Sequence, residues 1–338
     1  MQAVFLEKPG QFIVRDVKNP CAPAQQEALV RVRKIGVCGT DLHAFHGRHP
    51  FVGYPRILGH ELGGEVLEIG ENDRGIQPGD RCAIEPYMNC GSCIACQRGK
   101  TNCCAVLKVL GIHVDGGMQE RLVVPIRNLH KSNTLTFEEL ALVETLGIGA
   151  HAVRRADLQP NDTVAIIGLG PIGLATLQFA TRHTQYVAGV DLARHRVAFA
   201  KSRYPGLLTV DGSEEPSQHL RDVFQGDLPT VVFDCTGSGK SMMGAFQHVA
   251  HGGKLIFVGL VPGQIAFEDP LLHGRELTVM GSRNATAEDL ATVIRLLEHR
   301  DIQVSSWVTH RASATVASNA FAEWMDPSSY IVKGVFDI

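Results

Sequence analysis

The chain has 338 residues, 44% hydrophobic and 20% charged, which at roughly 150 residues per domain is enough to fill two cores. Against 35 acidic residues stand 32 Lys and Arg, so the net charge of -3 argues against a nucleic-acid binder and against a polybasic membrane-surface protein. No apolar run approaches the roughly 18 residues that span a bilayer. The opening MQAVFLEKPG lacks a basic start followed by a long apolar stretch, so no secretory signal is read and a cytoplasmic protein is expected. Nine cysteines in a reducing compartment then need a reason other than disulfides.

In chain order, Ala28 to Ile35 alternates apolar and charged residues as a half-buried strand does, and Gly63 to Ile69 and Arg81 to Ile84 look similar. The turn Pro78-Gly79-Asp80 precedes the last of these. This region reads as a small antiparallel barrel. Thr136 and Glu139 have the spacing of a capping box, which predicts a helix running through Leu146 or beyond. After the turn Pro160-Asn-Asp162 comes the apolar strand Thr163 to Ile167. A helix over Leu174 to Thr181 and a strand from Tyr186 to Val190, ending at Asp191, follow. The alternation continues through Val231–Asp234 and Lys254–Val258, which predicts a parallel sheet with helices on both faces. The last fifty or so residues return to short strands, ending in Tyr330–Ile338.

Two motifs carry chemistry by themselves. Gly168-x-Gly170-Pro171-Ile172-Gly173 leaves a strand and opens a helix, and Asp191 follows 23 residues after Gly168. Gly168 permits the tight turn, Gly170 lets backbone approach a pyrophosphate, and Gly173 lets helix and strand pack closely. The helix N-terminus offers free N–H groups to phosphates. A carboxylate at Asp191 accepts ribose hydroxyls and repels a 2′-phosphate, which favours NAD over NADP; Arg194 and Arg196 nearby weaken that preference slightly. The second motif is Cys90-x2-Cys93-x2-Cys96-x7-Cys104. Four thiolates on one short loop suit a closed, structural Zn2+ site. An iron–sulfur cluster is the rival, and Cys103 is an alternative fourth ligand.

A third constellation is dispersed: Cys38-Gly-Thr40-Asp41-Leu-His43, then Gly59-His60-Glu61, then Glu144. Together with the other two, in this order, it resembles the zinc-dependent medium-chain dehydrogenase/reductase (alcohol dehydrogenase) family over essentially the whole chain, and most of all its polyol and sorbitol dehydrogenase branch. The resemblance implies an α/β protein: a GroES-like antiparallel β-barrel catalytic domain over 1–147 and 285–338, with a doubly wound Rossmann NAD-binding domain over 148–284. It implies two Zn2+ per chain, one structural and one catalytic. Cys38 and His60 would be catalytic ligands, with Glu61 and Glu144 alternative carboxylates at the same ion. Thr40 and His43 would carry the proton to solvent, and Asp41 would orient His60. Arg196 falls beside the ribose. Arg283 falls where the polyol branch carries an arginine near the substrate and would offset the extra carboxylate.

The activity so implied is NAD-linked oxidation of a secondary alcohol of a polyol, sugar or sugar acid to a ketone by hydride transfer. His49 and His113 fall along the substrate pocket, where such donors suit a hydroxyl-rich or carboxylated small molecule. L-threonine 3-dehydrogenase and an L-galactonate-type sugar-acid oxidoreductase are the rival activities. A catalytically retired NAD-binding sensor or scaffold is the rival from another class, and intact Cys38, His60 and Glu144 speak against it. The family implies a homodimer or homotetramer, and neither nucleic acid nor membrane is expected as a partner.

Overall fold

Alternation organises the first unit of the chain. In the strand Glu27–Gly36, Val30 and Val32 are buried while Arg31 and Arg33 reach the surface. In the computed structural model, which describes residues 1–213 and 215–338, this strand lies inside a seven-stranded sheet. The order is Leu129–Lys131, Arg81–Ile84, Glu61–Ile69, Glu27–Gly36, Lys333–Asp337, Val308–Ser313, and Arg121–Pro125 also pairs with Glu27–Gly36. A three-stranded sheet of Gln11–Asp16, Gln2–Lys8 and Arg56–Ile57 adds to the same core, which includes Leu6, Val30, Leu62, Phe321 and Phe336. The pairings are antiparallel as expected, with one difference: Val308–Ser313 and Lys333–Asp337 run parallel. Parallel neighbours need a crossover, and the helix Ala317–Trp324 lies in that connection.

The capping box at Thr136 forms. Thr136 Oγ1 accepts the Glu139 N–H at 3.2 Å, and Glu139 Oε2 accepts the Thr136 N–H at 2.8 Å. The helix it starts is shorter than expected, Phe137–Ala141, and a new helix, Val143–Ala156, begins after Leu142. The short helix rests on the strand beneath it, where a Cβ on Gly63 would strike the Phe137 carbonyl. The break at Leu142 puts Glu144 in the first turn of the second helix.

The chain divides into two units, Met1–Glu144 with Thr286–Ile338, and Thr145–Ala285. The second holds six parallel strands in the order Leu208–Asp211, Val187–Asp191, Val164–Ile167, Val231–Asp234, Lys254–Phe257, Thr278–Gly281. In sequence order this is 3-2-1-4-5-6, the doubly wound arrangement, with its switch point at Val164–Ile167. The three central strands are buried along their whole length, as helices on both faces require. Among the described residues no helix is long and apolar enough to cross a membrane.

Candidate active site

The loop between the strands Tyr87–Met88 and Lys108–Val109 brings Cys90, Cys93, Cys96 and Cys104 together, each sulfur within 4.8 Å of the others. Cys93 Sγ and Cys96 Sγ are 3.5 Å apart, far beyond a disulfide and close to the edge of about 3.8 Å that four thiolates make around Zn2+. Backbone N–H groups point at the sulfurs: Cys93 N–H at Cys90 Sγ (3.4 Å) and Cys90 N–H at Cys104 Sγ (3.3 Å). Hydrogen bonds from Ser92, then Cys93 and Cys104, bring the Cys90 thiol down to about 6, the direction a metal-binding thiolate needs. The neighbouring Cys103 lies outside the group and is exposed.

The second cluster is assembled from distant segments. Cys38 caps the short helix Gly39–Phe45, and its N–H donates to Asp41 Oδ2 at 2.9 Å. His60 immediately precedes the strand Glu61–Ile69, which Glu61 opens and where Glu61 pairs across the ladder with Gly36. A Cβ on Gly36 would overlap the Glu61 carboxylate, so this glycine is the space into which that carboxylate turns. One ligand atom each from Cys38, His60 and Glu61 falls within 4.8 Å of the others. Asp41 Oδ1 lies 3.6 Å from His60 Nδ1, and both atoms are buried without a hydrogen bond. Glu144 is not one of the trio, although it is close enough for His60 and Glu61 to act on its charge, and it accepts the Tyr87 O–H. Thr40 and His43 lie one helical turn apart on Gly39–Phe45, half-buried and exposed respectively.

Sequence reasoning missed Lys333. It is 2% exposed, and its Nζ lies 2.6 Å from both oxygens of Glu61, itself 0% exposed. Alternation does not reveal it, because Lys333, Gly334, Val335 and Phe336 are all buried. The charges around the cluster are nonetheless unbalanced. Burial drives Asp41 and Glu144 above the usual carboxylate range, against the pull of His60. Burial opposes charge on His60 and Lys333, yet the surrounding anions, Asp41 for His60 and Glu61 for Lys333, hold both above their ordinary values. Three carboxylates and a thiol thus share one lysine and one imidazole. A dication fits that excess, and thiol, imidazole and carboxylate are the donor types Zn2+ takes.

At the dinucleotide turn, Gly168 has φ +91°, a conformation open to glycine, and a Cβ on Gly173 would strike the Gly168 carbonyl. A Cβ on Gly170 would meet only the Arg196 guanidinium, at 3.7 Å. Pro171 and Ile172 open the helix Pro171–Ala180. Asp191 is held by two backbone donors, Leu169 N–H on Oδ2 (2.7 Å) and Ala193 N–H on Oδ1 (2.8 Å), and Arg196 Nη1 stands 3.8 Å from Oδ2. The turn is thus held close against the N-terminus of the helix Pro171–Ala180, with Asp191 fixed beside it. Arg283 is exposed, just beyond the strand Thr278–Gly281 of this unit.

The loop carrying His113 returns to the first unit's cluster. Gly111, Gly116 and Gly117 pack where any side chain would strike Gly59 or Leu62, and Gly117 N–H donates to Gly59 O at 2.9 Å. His113 Nδ1 accepts Val109 N–H at 3.1 Å, and His49 Nδ1 accepts Phe51 N–H at 3.3 Å. An acceptor Nδ1 puts the proton of a neutral imidazole on Nε2. Burial, then His43, His60 and His113, lowers the pKa of His49 and keeps it neutral near pH 7. The Phe51 ring, 61% exposed, packs against both imidazoles, at 5.9 Å from His49 and 6.1 Å from His113.

Residues 24–134 match the alcohol dehydrogenase GroES-like domain, and residues 171–299 match the zinc-binding dehydrogenase family. The chain is 36% identical to L-galactonate-5-dehydrogenase of Escherichia coli K12, over 99% of this chain and 98% of that one. The chain belongs to the zinc-binding alcohol dehydrogenases. It is also 32% identical to L-arabinitol 4-dehydrogenase of Aureobasidium melanogenum, over 92% of this alcohol dehydrogenase and 87% of that one. Among solved structures, the rspB alcohol dehydrogenase of Escherichia coli CFT073, complexed with NADH, matches at TM-score 0.91 and 27% identity, covering 100% of this chain and 99% of that one. A zinc-binding dehydrogenase of Sinorhizobium meliloti 1021, bound to NADP, matches at TM-score 0.90 and 30% identity, with the same coverage. This alcohol dehydrogenase is a zinc-dependent oxidoreductase on a GroES-like and Rossmann scaffold.

Proposed function

We propose that the enzyme oxidises a secondary hydroxyl of a polyol, sugar or sugar acid to a ketone with NAD. The carrying observation is the Cys38–His60–Glu61 cluster, with the His49 imidazole near enough for His60 to act on its charge and the exposed Phe51 ring against His49. His49, neutral and with Nδ1 already accepting, offers Nε2–H to hydroxyl and carboxylate oxygens, and an exposed ring face covers the apolar C–H face of a sugar chain. The likeness to the galactonate and arabinitol dehydrogenases supports the same class.

Zn2+ held by Cys38, His60 and a glutamate would act as the Lewis acid on the alcohol, and the nicotinamide would take the hydride. The chain's own residues do the rest. Asp41 accepts the Cys38 backbone N–H and so orients that ligand, while its other oxygen stands 3.6 Å from His60 Nδ1. Thr40 and His43, one turn apart, pass the hydroxyl proton outward to solvent. Gly168 to Gly173 seat the pyrophosphate, and Asp191 accepts the ribose hydroxyls with an orientation already set by two backbone donors. That carboxylate favours NAD over NADP, with Arg196 alongside it.

A panel of polyols, aldoses, aldonates and L-threonine, each with NAD and NADP, tests this through absorbance of the reduced cofactor. Turnover of a polyol or aldonate with NAD is expected. Turnover confined to L-threonine or simple primary alcohols would overturn the substrate class, and no turnover by a chain containing two zinc would overturn the activity.

A further inference from the structure

We propose that Tyr87 is a positioning residue for the catalytic metal: its phenol takes one oxygen of Glu144 and thereby fixes that carboxylate beside the Cys38–His60–Glu61 trio. The inference rests on the zinc dehydrogenase reading and extends it to a side chain that no sequence motif includes.

Tyr87 is 2% exposed, and its O–H donates to Glu144 Oε1. A phenol is a neutral donor over the working pH range, so the bond neither adds charge to a crowded site nor competes with a cation electrostatically. The two glutamates are thus held differently. Glu61 has Lys333 Nζ at 2.6 Å from both oxygens, whereas Glu144 is tethered by Oε1 alone, and Oε2 is the oxygen left for a cation. A glutamate in the first turn of a helix, such as Glu144, otherwise has several rotamers open to it.

The tether is itself anchored. Asn128 Nδ2 donates to the backbone carbonyls of Tyr87 (3.1 Å) and Glu85 (2.9 Å), and the Glu85 carboxylate meets His130 Nε2 at 2.9 Å; all four residues are buried. Tyr87 also lies on the ribbon Tyr87–Met88 with Lys108–Val109, the two legs of the loop that gathers the four thiols. The phenol therefore projects from a base secured on both sides, as a residue that aims a metal-site carboxylate requires.

Tyr87→Phe removes one O–H and little else. Zinc content and the rate of zinc loss to a chelator are measured on wild type, Tyr87→Phe, Glu144→Ala and the double variant. The wild type should hold two zinc. In Tyr87→Phe one of them should be lost about 10–100-fold more readily, with the other unchanged. In the Glu144→Ala background the Tyr87 change should alter retention by less than about twofold, because the carboxylate it aims is gone. Wild-type retention in Tyr87→Phe, or an equal loss in the Glu144→Ala background, would overturn the proposal; the latter marks a merely structural tyrosine. If Tyr87→Phe does not fold, the double variant against Glu144→Ala makes the same comparison without a stranded carboxylate: equal retention supports the proposal and unequal retention overturns it. A wild type holding a single zinc that Cys96→Ser removes would bring down the metal reading of the Cys38 cluster itself.

Discussion

Replacing Lys333 with Met keeps the apolar stem of the side chain and deletes the ammonium group with its charge and donors. Glu61 then keeps a carboxylate at 0% exposure with its partner gone, whereas the native Nζ stands 2.6 Å away. Breaking a fully buried pair from one side costs about 3–5 kcal/mol, mostly because the remaining charge is stranded away from water. Neither partner is exposed, so solvent screening gives no discount. For a unit of about 200 residues, at about 2–4 °C per kcal/mol, the melting temperature should fall by about 6–20 °C. Calorimetry on zinc-free protein reads this directly. Glu61→Gln combined with Lys333→Met should restore more than half of the loss, since no charge is then stranded. The pH dependence has a definite sign. Glu61, followed by Cys38, holds Lys333 above its ordinary value against the effect of burial, so the stabilisation is full below about 10.4 and is lost as pH climbs through the higher folded value. The gap between wild type and variant should stay level from pH 6 to 9. A shift under about 2 °C, or a double variant no better than the single, would refute the reasoning.

Gly36→Ala should push a methyl group into the Glu61 carboxylate, costing about 1–3 kcal/mol and lowering zinc content; calorimetry with metal analysis checks both. Asp191→Ser should lower kcat/KM for NAD by about 10–100-fold, the worth of a charged hydrogen bond, while NADP gains relatively because Arg196 stays in place. An unchanged cofactor ratio would mean that this carboxylate does not read the ribose. Cys96→Ser should remove one zinc per chain and leave the other, measured by elemental analysis; two zinc retained would take the quartet out of the account.

What could be read along the chain is what is local in it. The Cys quartet spans 15 positions, and the glycine turn with its strand and helix spans 17, so spacing alone carried their geometry. Lys333 has no such signature: its partner lies 272 residues away, and lysine is almost never fully buried without one. The Tyr87–Glu144 bond spans 57 residues and likewise has no local pattern. Thr136 and Glu139 announce where their helix begins, but nothing in that box sets its end, which depends on how the helix rests over Gly63. The placement of Gly36 against Glu61 is a matter of strand register, and register appears only when the two strands are paired.

The position of Lys333 also bears on how the protein is made. Ribosomes add about 5–20 residues per second, so the 272 residues between Glu61 and Lys333 take about 15–50 s to appear. Throughout that interval the nascent chain already carries the thiol, the imidazole and the carboxylate, but not the ammonium group that pairs with the last of these in the fold. The strand Lys333–Asp337 that brings the ammonium group must then insert between Glu27–Gly36 and Val308–Ser313. Sealing the sheet and settling the charge are therefore one event, and it has to wait until Lys333–Asp337 has been made.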